Sequence, residues 1–365
     1  MKVAIIIGTR PEIIKMSPLI RTCTEKRLDF FIVHTGQHYD YELDGKMFKD
    51  LGLPKPKYNL NVGGKPYRIQ KSLMIREMAD IFKREGVDVV VVQGDTNSVL
   101  AGTLAGLKTN CRVAHHEAGL RSHDLGMLEE VNRIITDNVA DYLFAPTKTA
   151  LKNLEQEGLK KHSYLTGNTI TDAVIQNSEI ARKKSMILRK LKLKKSSFVL
   201  VTTHRAENVD DKNKLSNILA GLDAVSKKLK LPVILPLHPR TKSNIEKFSL
   251  KKPKSIKFIK PLGYLDFLNL EANAKLIITD SGGIQEEASI LKIPCVTIRE
   301  NTERPETIKA GINLLAGTDP KKILACSERI IKNKKKWGNL YGNGDAAEKI
   351  MDHIIRLEAE YGNLY

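Results

Sequence analysis

Lys275-Leu-Ile-Ile-Thr279, followed at once by Asp280-Ser-Gly-Gly-Ile-Gln-Glu-Glu-Ala288, reads as a strand, a turn and the start of a helix. The apolar run has the length of a buried strand. The paired glycines are expected to let the backbone turn tightly, and nothing after them breaks a helix for two turns. Such a segment leaves the free N–H groups of a helix N-terminus, with the helix dipole behind them, facing an anion the size of a diphosphate. Ser281 adds a hydroxyl donor, and Glu286 or Glu287, one turn further on, is placed to accept hydrogen bonds from ribose hydroxyls. Alone, Ser-Gly-Gly would mark an ordinary βα turn, so the reading depends on the rest of the chain.

The same unit recurs. Val3–Ile7, Phe30–His34, Asp88–Gln93, Cys111–His115, Tyr142–Ala145 and Ser163–Thr166 are short apolar runs separated by helical segments, and residues 54–66, rich in Pro, Asn and Gly, read as a loop. Six strands of this kind imply a doubly wound parallel sheet, whose buried strands are apolar on both faces. Thr166-Gly-Asn-Thr169 reads as a linker. A second series follows at Phe198–Thr202, Pro232–Leu235, Ile256–Ile259, the opening stretch and Pro294–Ile298. The expected fold is therefore α/β, with two Rossmann-like doubly wound parallel-sheet domains facing a cleft. The expected domains are 1–168 together with 346–365, and 169–345, the last helix crossing back onto the first half.

Composition narrows the function classes. The 365 residues, 41% of them apolar, are enough for two cores. No run approaches the roughly 18 apolar residues of a membrane span, and the first residues read as a strand rather than a signal peptide, so a cytoplasmic protein is expected. Four scattered cysteines carry no C-x-x-C pair and indicate neither a zinc site nor a disulfide framework. The net charge of +18 invites a nucleic-acid reading, but the lysines cluster in runs such as 190–195 and 332–336, and aromatics, only 5%, are not interleaved with them. A small anionic substrate is the expected partner instead. No G-x-G-x-x-G or P-loop pattern occurs, so neither dinucleotide redox chemistry nor P-loop ATP hydrolysis is supported.

Ligands of open parallel sheets bind beyond the carboxyl ends of the strands. The first half places Arg10, Glu12, Lys15, Gln37, His38, Asp95, His115, His116, Glu117 and Arg121 there, with Glu129, Glu130 and Arg133 one loop further on. Gathered carboxylates with separated pKa values can supply an acid and a base. Asp95-Thr96-Asn97 is also a plausible helix cap, and Glu129 and Glu130 are equally well read as first-turn acids favoured by the dipole. His115 and His116, adjacent on a strand, point to opposite faces and cannot share a metal. The second half contributes His204, Arg205, Glu207, Asn208, His238, Arg240, Gly263, Ser281 to Glu287, Arg299 and Arg304. Arginine forks suit a diphosphate, and His204 can donate to a phosphate or move a proton.

These residues converge on a family. Gly8-Thr-Arg-Pro-Glu-Ile-Ile-Lys15, Thr35-Gly-Gln-His38, Gln93-Gly-Asp-Thr96, His116-Glu-Ala-Gly-Leu-Arg121, Glu129-Glu130 with Asn132-Arg133, Thr203-His-Arg-Ala-Glu-Asn208, the opening stretch and Thr302-Glu-Arg-Pro-Glu306 stand in the order seen in the non-hydrolysing UDP-N-acetylglucosamine 2-epimerases, which the chain resembles from residue 3 to about 315. The resemblance implies a glycosyltransferase-B-like fold, a homodimer, no redox cofactor, and interconversion of UDP-GlcNAc with UDP-ManNAc. It implies anti elimination of UDP to 2-acetamidoglucal and re-addition with the proton delivered to the opposite face. Asp95, Glu117, Glu129 and His204 match catalytic positions. Arg10, His204, Ser281, Gly282 and Gly283 match phosphate contacts, Glu287 the ribose contact, and Lys15 and Arg304 further site positions. Arg133 is expected to steady the glutamate loop. Gln37, His38, Arg68 and Gln70 are candidates for an activating second site. The chain departs from the family in having Leu128, not proline, before Glu129. The related activities to separate from this one are epimerisation of a UDP-diacetamido uronic acid, hydrolytic release of the sugar, and retaining glycosyl transfer.

Overall fold

In the computed structural model all residues are described except 38–40, 65, 334–336 and 363–365, together with the side chains of 41–43, 67, 68, 361 and 362. The chain divides into two compact units, Met1–Gln176 with Tyr341–Tyr365, and Asn177–Leu340.

The first unit carries seven parallel strands: β1 (Lys2–Ile7), β2 (Asp29–His34), β3 (Tyr58–Asn59), β4 (Val89–Gln93), β5 (Arg112–His116), β6 (Tyr142–Ala145) and β7 (Ser163–Leu165), in the order β3-β2-β1-β4-β5-β6-β7. Val3, Ala4, Ile5, Ile7 and Val89 to Val92 are wholly buried, which is why these strands read as unbroken apolar runs. The final helix, Ala346–Gly362, belongs to this unit and packs on the helix Arg10–Glu25, where Cys23 Sγ lies 3.8 Å from Met351 Sδ. Two features differ from the sequence reading. A seventh strand, β3, lies within the stretch read as loop; its two residues pair with Val33 and His34 and are too few to show an alternation. The segment read as a linker is tightly bonded instead: Gly167 has φ +92°, and the Asn168 amide donates to the Tyr341 carbonyl at 2.9 Å.

The second unit carries β8 (Val199–Thr202), β9 (Val233–Pro236), β10 (Ile256–Ile259), β11 (Leu276–Thr279), β12 (Cys295–Thr297) and β13 (Asn313–Leu315), again all parallel, in the order β10-β9-β8-β11-β12-β13. β13 is a further short edge strand that apolar periodicity does not reveal. The winding reverses between β1 and β4 in one sheet and between β8 and β11 in the other. Each reversal leaves a crevice beyond the strand ends, since the connections depart in opposite directions. The stretch 275–288 supplies one side of the second crevice.

Candidate active site

In the first unit the crevice is bordered by the turns after β1 and β4. Glu12 holds them together: its carboxylate accepts from the backbone amides of Gly8 (2.6 Å) and Thr9 (2.7 Å) and from the Thr96 hydroxyl (2.6 Å). Thr96 also caps the helix Asn97–Lys108 by accepting from Val99 N, so the capping expected of the Asp95-Thr96-Asn97 turn falls to Thr96. Asp95 is thereby released for Arg133, whose guanidinium donates to the Asp95 carboxylate and, at 2.5 Å, to the Glu117 carbonyl. Arg133 thus ties two of the expected catalytic positions together. The glutamate loop is held by Glu130, which accepts from the amides of Ser122 (2.9 Å) and His123 (3.0 Å). Glu129 points outward and is exposed, so the adjacent pair divides into one loop anchor and one solvent-facing acid.

Glu117 is the most constrained group in this unit. It stands at φ +66°, a left-handed conformation costing a residue with a Cβ roughly 1–2 kcal/mol. Its side chain is 4% exposed and paired with Lys15 at 2.7 Å, and it also accepts from Gln93 and, at 2.9 Å, from Asn168. Burial alone would raise this carboxyl, but the Lys15 and Arg133 charges outweigh it and hold it well below the usual carboxylate range. The side chain of Asp95, by contrast, is 31% exposed. His115 and His116 point apart, as expected. His115 bonds Asp137 (2.7 Å) and the Gly94 carbonyl (2.8 Å), and His116, pushed by burial down to about 3, bonds Thr169 (2.9 Å). Arg121 is taken up by Asp137 and Glu157. Gly119 at φ +76° lets this loop pass the helix Lys148–Gln156, where a Cβ would meet the Ala150 carbonyl oxygen at 2.3 Å.

Arg10 is partly exposed, with Nε 3.4 Å from Asp44. Of the candidates for a second site, Gln37 accepts from the Ser98 hydroxyl at 2.7 Å and Gln70 is half-buried. His38 and the side chain of Arg68 lie outside the described residues. Among the described residues, no cluster of three or more His, Cys, Asp or Glu is arranged to hold a metal.

In the second unit the crevice lies between the turns after β8 and β11. Gly282 and Gly283 belong to the helix Gly282–Ile290 and neither has a positive φ, which corrects the expectation that they form the turn. Their contribution is space: a Cβ on Gly283 would find only the Ser281 hydroxyl, 4.0 Å away, so the backbone here is open to close approach. The Ser281 side chain makes no capping bond to the helix. Asp280, which sequence reasoning passed over, organises the other side, and its buried carboxylate accepts from the Thr203 hydroxyl, the amides of His204 and Arg205, and the Asn208 side chain. His204 leans on His238, ring centroids 5.3 Å apart, and Arg205, His238 and Gly263 are exposed. Glu286, one of the two acids read as ribose acceptors, is taken by Arg304 at 2.6 Å. Glu287 sits beside Glu271, a wholly buried acid with no sequence signal, and burial, then the charge of Glu287, push Glu271 well above the usual carboxylate range.

Two doubly wound sheets, each with ionisable groups collected at its switch point, define a Rossmann-like α/β protein whose chemistry lies beyond the strand ends. A family model described as UDP-N-acetylglucosamine 2-epimerase matches residues 21–355. The UDP-N-acetylglucosamine 2-epimerase of Methanococcus maripaludis is 48% identical over 361 residues, 97% of this chain and 98% of that protein. The crystal structure of Methanocaldococcus jannaschii UDP-GlcNAc 2-epimerase in complex with UDP-GlcNAc and UDP aligns with a TM-score of 0.86 at 47% identity, covering 98% of this chain and 100% of that one. A UDP-2,3-diacetamido-2,3-dideoxy-D-glucuronate 2-epimerase of Pseudomonas aeruginosa is 39% identical, covering 98% of this chain and 100% of that protein. The chain belongs to the UDP-N-acetylglucosamine 2-epimerase family, and with it to the glycosyltransferase-B-like folds.

Proposed function

We propose that this chain interconverts UDP-N-acetylglucosamine and UDP-N-acetylmannosamine by eliminating UDP to 2-acetamidoglucal and adding it back. The observation that carries this reading is Glu117, a buried carboxylate held ionised by Lys15 in a strained backbone and tied through Arg133 to the more open Asp95. The C2 proton of the sugar lies beside an acetal carbon, so its direct removal would leave an unstabilised carbanion. Expulsion of UDP removes that difficulty, and the chemistry then needs proton transfer at both faces of the ring together with a firm hold on the nucleotide. Asp95, Glu117, Glu129 and His204 are the proposed proton-transfer groups. Glu117 becomes an effective base when the charge of Lys15 is drawn away from it. Arg10, Lys15, Arg205, His238, Gly263, Ser281, Gly282, Gly283 and Arg304 serve the substrate, and Glu287 serves the ribose. Arg133 positions the carboxylates, and Gln37, His38, Arg68 and Gln70 remain the candidates for an activating site.

The reading also takes the protein to be a cytoplasmic homodimer. Among the described residues no helix is long and apolar enough to cross a membrane, and light scattering measures the oligomeric state. A second reading, epimerisation of a UDP-diacetamido uronic acid, is favoured only by the 39% identical relative and is separated by offering both sugars. The decisive test is incubation with UDP-GlcNAc in heavy water. Deuterium at C2 of both epimers is expected, and epimerised product without that label rules out the elimination route.

A further inference from the structure

Asp280 has a buried carboxylate whose two oxygens are unequally bonded. Oδ2 receives four donors: the Thr203 hydroxyl at 2.9 Å, the amides of His204 and Arg205 at 2.9 and 3.0 Å, and Asn208 Nδ2 at 3.2 Å. Oδ1 shares the His204 amide, at the longer distance of 3.2 Å, and lies 3.3 Å from Nδ1 of the His204 ring. A ring nitrogen this close to a carboxylate oxygen has to present an N–H, because a lone pair there would face another lone pair. The ring is otherwise open, its side chain 39% exposed. The neighbouring ring has the opposite preference: His238 Nδ1 accepts from the Arg240 amide at 3.2 Å, so that nitrogen carries no proton.

We infer that Asp280 is a positioning residue that fixes His204 as the Nδ1–H form and leaves Nε2 as the nitrogen available to substrate. The inference rests on the proposed epimerase reading only for what Nε2 acts upon; the protonation pattern itself follows from the contacts. The titratable and charged groups around the ring agree with it. They are Asp280 after β11, His238 and Arg240 after β9, and the adjacent Arg205. Burial alone would raise Asp280, but His204 and the amides of Arg205 and His204 outweigh it and hold the carboxyl below its ordinary range, so it remains an anion. Burial, and after it the charge of His204, push the His238 imidazole down.

Asp280→Asn separates this role from loop anchoring. The four donors at Oδ2 select the amide oxygen for that position, which leaves the new NH2 group facing Nδ1. Nδ1 must then accept, and the proton of the neutral ring moves to Nε2. With histidine labelled in both ring nitrogens with 15N, and the His204 signal assigned by its loss in H204Q, wild type is expected to show Nδ1–H in the neutral ring and D280N to show Nε2–H. In D280N, kcat is expected to fall at least roughly tenfold, with KM changed by less than about threefold. An Nε2–H tautomer in wild type overturns the inference, and this measurement needs neither the D280N protein nor a known substrate. So does a D280N protein that loses activity while its His204 tautomer stays as in wild type, since that result assigns Asp280 to loop structure alone.

Discussion

Replacing Lys15 by Met removes the cation paired with Glu117 while keeping the length of the side chain. The pair is close, at 2.7 Å, with the Lys15 side chain 16% and the Glu117 side chain 4% exposed, so no solvent can take over when the lysine is lost. Breaking a buried pair from one side costs about 3–5 kcal/mol. The lower end, about 3 kcal/mol, applies here because Gln93 and Asn168 still donate to the carboxylate and Arg133 remains on the Glu117 carbonyl. At about 1.4 kcal/mol per pKa unit, that energy moves the carboxyl up by roughly two units from its depressed value.

In wild type the folded carboxyl is depressed, so its stabilising contribution is complete above the ordinary glutamate value and is lost only in strong acid. In K15M the carboxyl moves up from that depressed range without passing the ordinary glutamate value, so the deficit is complete at neutral pH and shrinks only in acid. Hydrogen exchange of the β4 and β5 amides reads the opening of the first unit without relying on unfolding of the whole chain. A deficit of about 3 kcal/mol at pH 7.5, still above about 2 kcal/mol at pH 5.5, is expected. A deficit below about 1 kcal/mol at pH 7.5, or one that shrinks by more than about half between pH 7.5 and 5.5, would refute the electrostatic account of Glu117.

Two further outcomes follow from the buried acids. Glu271 is held protonated, so wild type is most stable below the ordinary glutamate value and loses stability as pH rises toward the folded value, whereas E271Q is neutral throughout. E271Q should therefore gain on wild type by up to about 1.4 kcal/mol per pH unit in that window, followed by the fluorescence of Trp337, the single tryptophan; a difference independent of pH contradicts the assignment. Glu130 and Glu129 should separate cleanly in denaturant melts and steady-state rates. E130A loses about 1.5–3 kcal/mol with its two amide donors, while E129Q changes stability by less than about 0.5 kcal/mol and lowers kcat.

Much of the fold was legible because parallel strands buried on both faces have to be apolar throughout, and each ends where a helix begins. That signal located most of the strands of both sheets. It failed for β3 and β13, edge strands of two and three residues whose pairing is decided by their neighbours. The site was legible as a set of strand-end positions, but not as partnerships. Asn168 stood in a segment read as a linker, and its side chain donates to Glu117; Glu286 and Glu287 were equivalent in sequence, and Arg304 takes one of them. Asp280 and Glu271 gave no signal of their own, because an acid beside a strand or inside a helix acquires its role only from what is buried against it.

The stretch 275–288 illustrates the division. By itself the sequence determined a strand leading into a helix, the parallel α/β class, and the ordered motifs that place the chain in its family, since these depend on local pattern and order. Tertiary structure alone decided that the glycines open space rather than turn the chain, that Asp280 grips the loop carrying His204, and that Lys15 meets Glu117 across 102 residues of sequence. The physical reason is that a carboxylate's state is set by its burial and by the charges within a few ångströms of it, and only the folded chain brings those together.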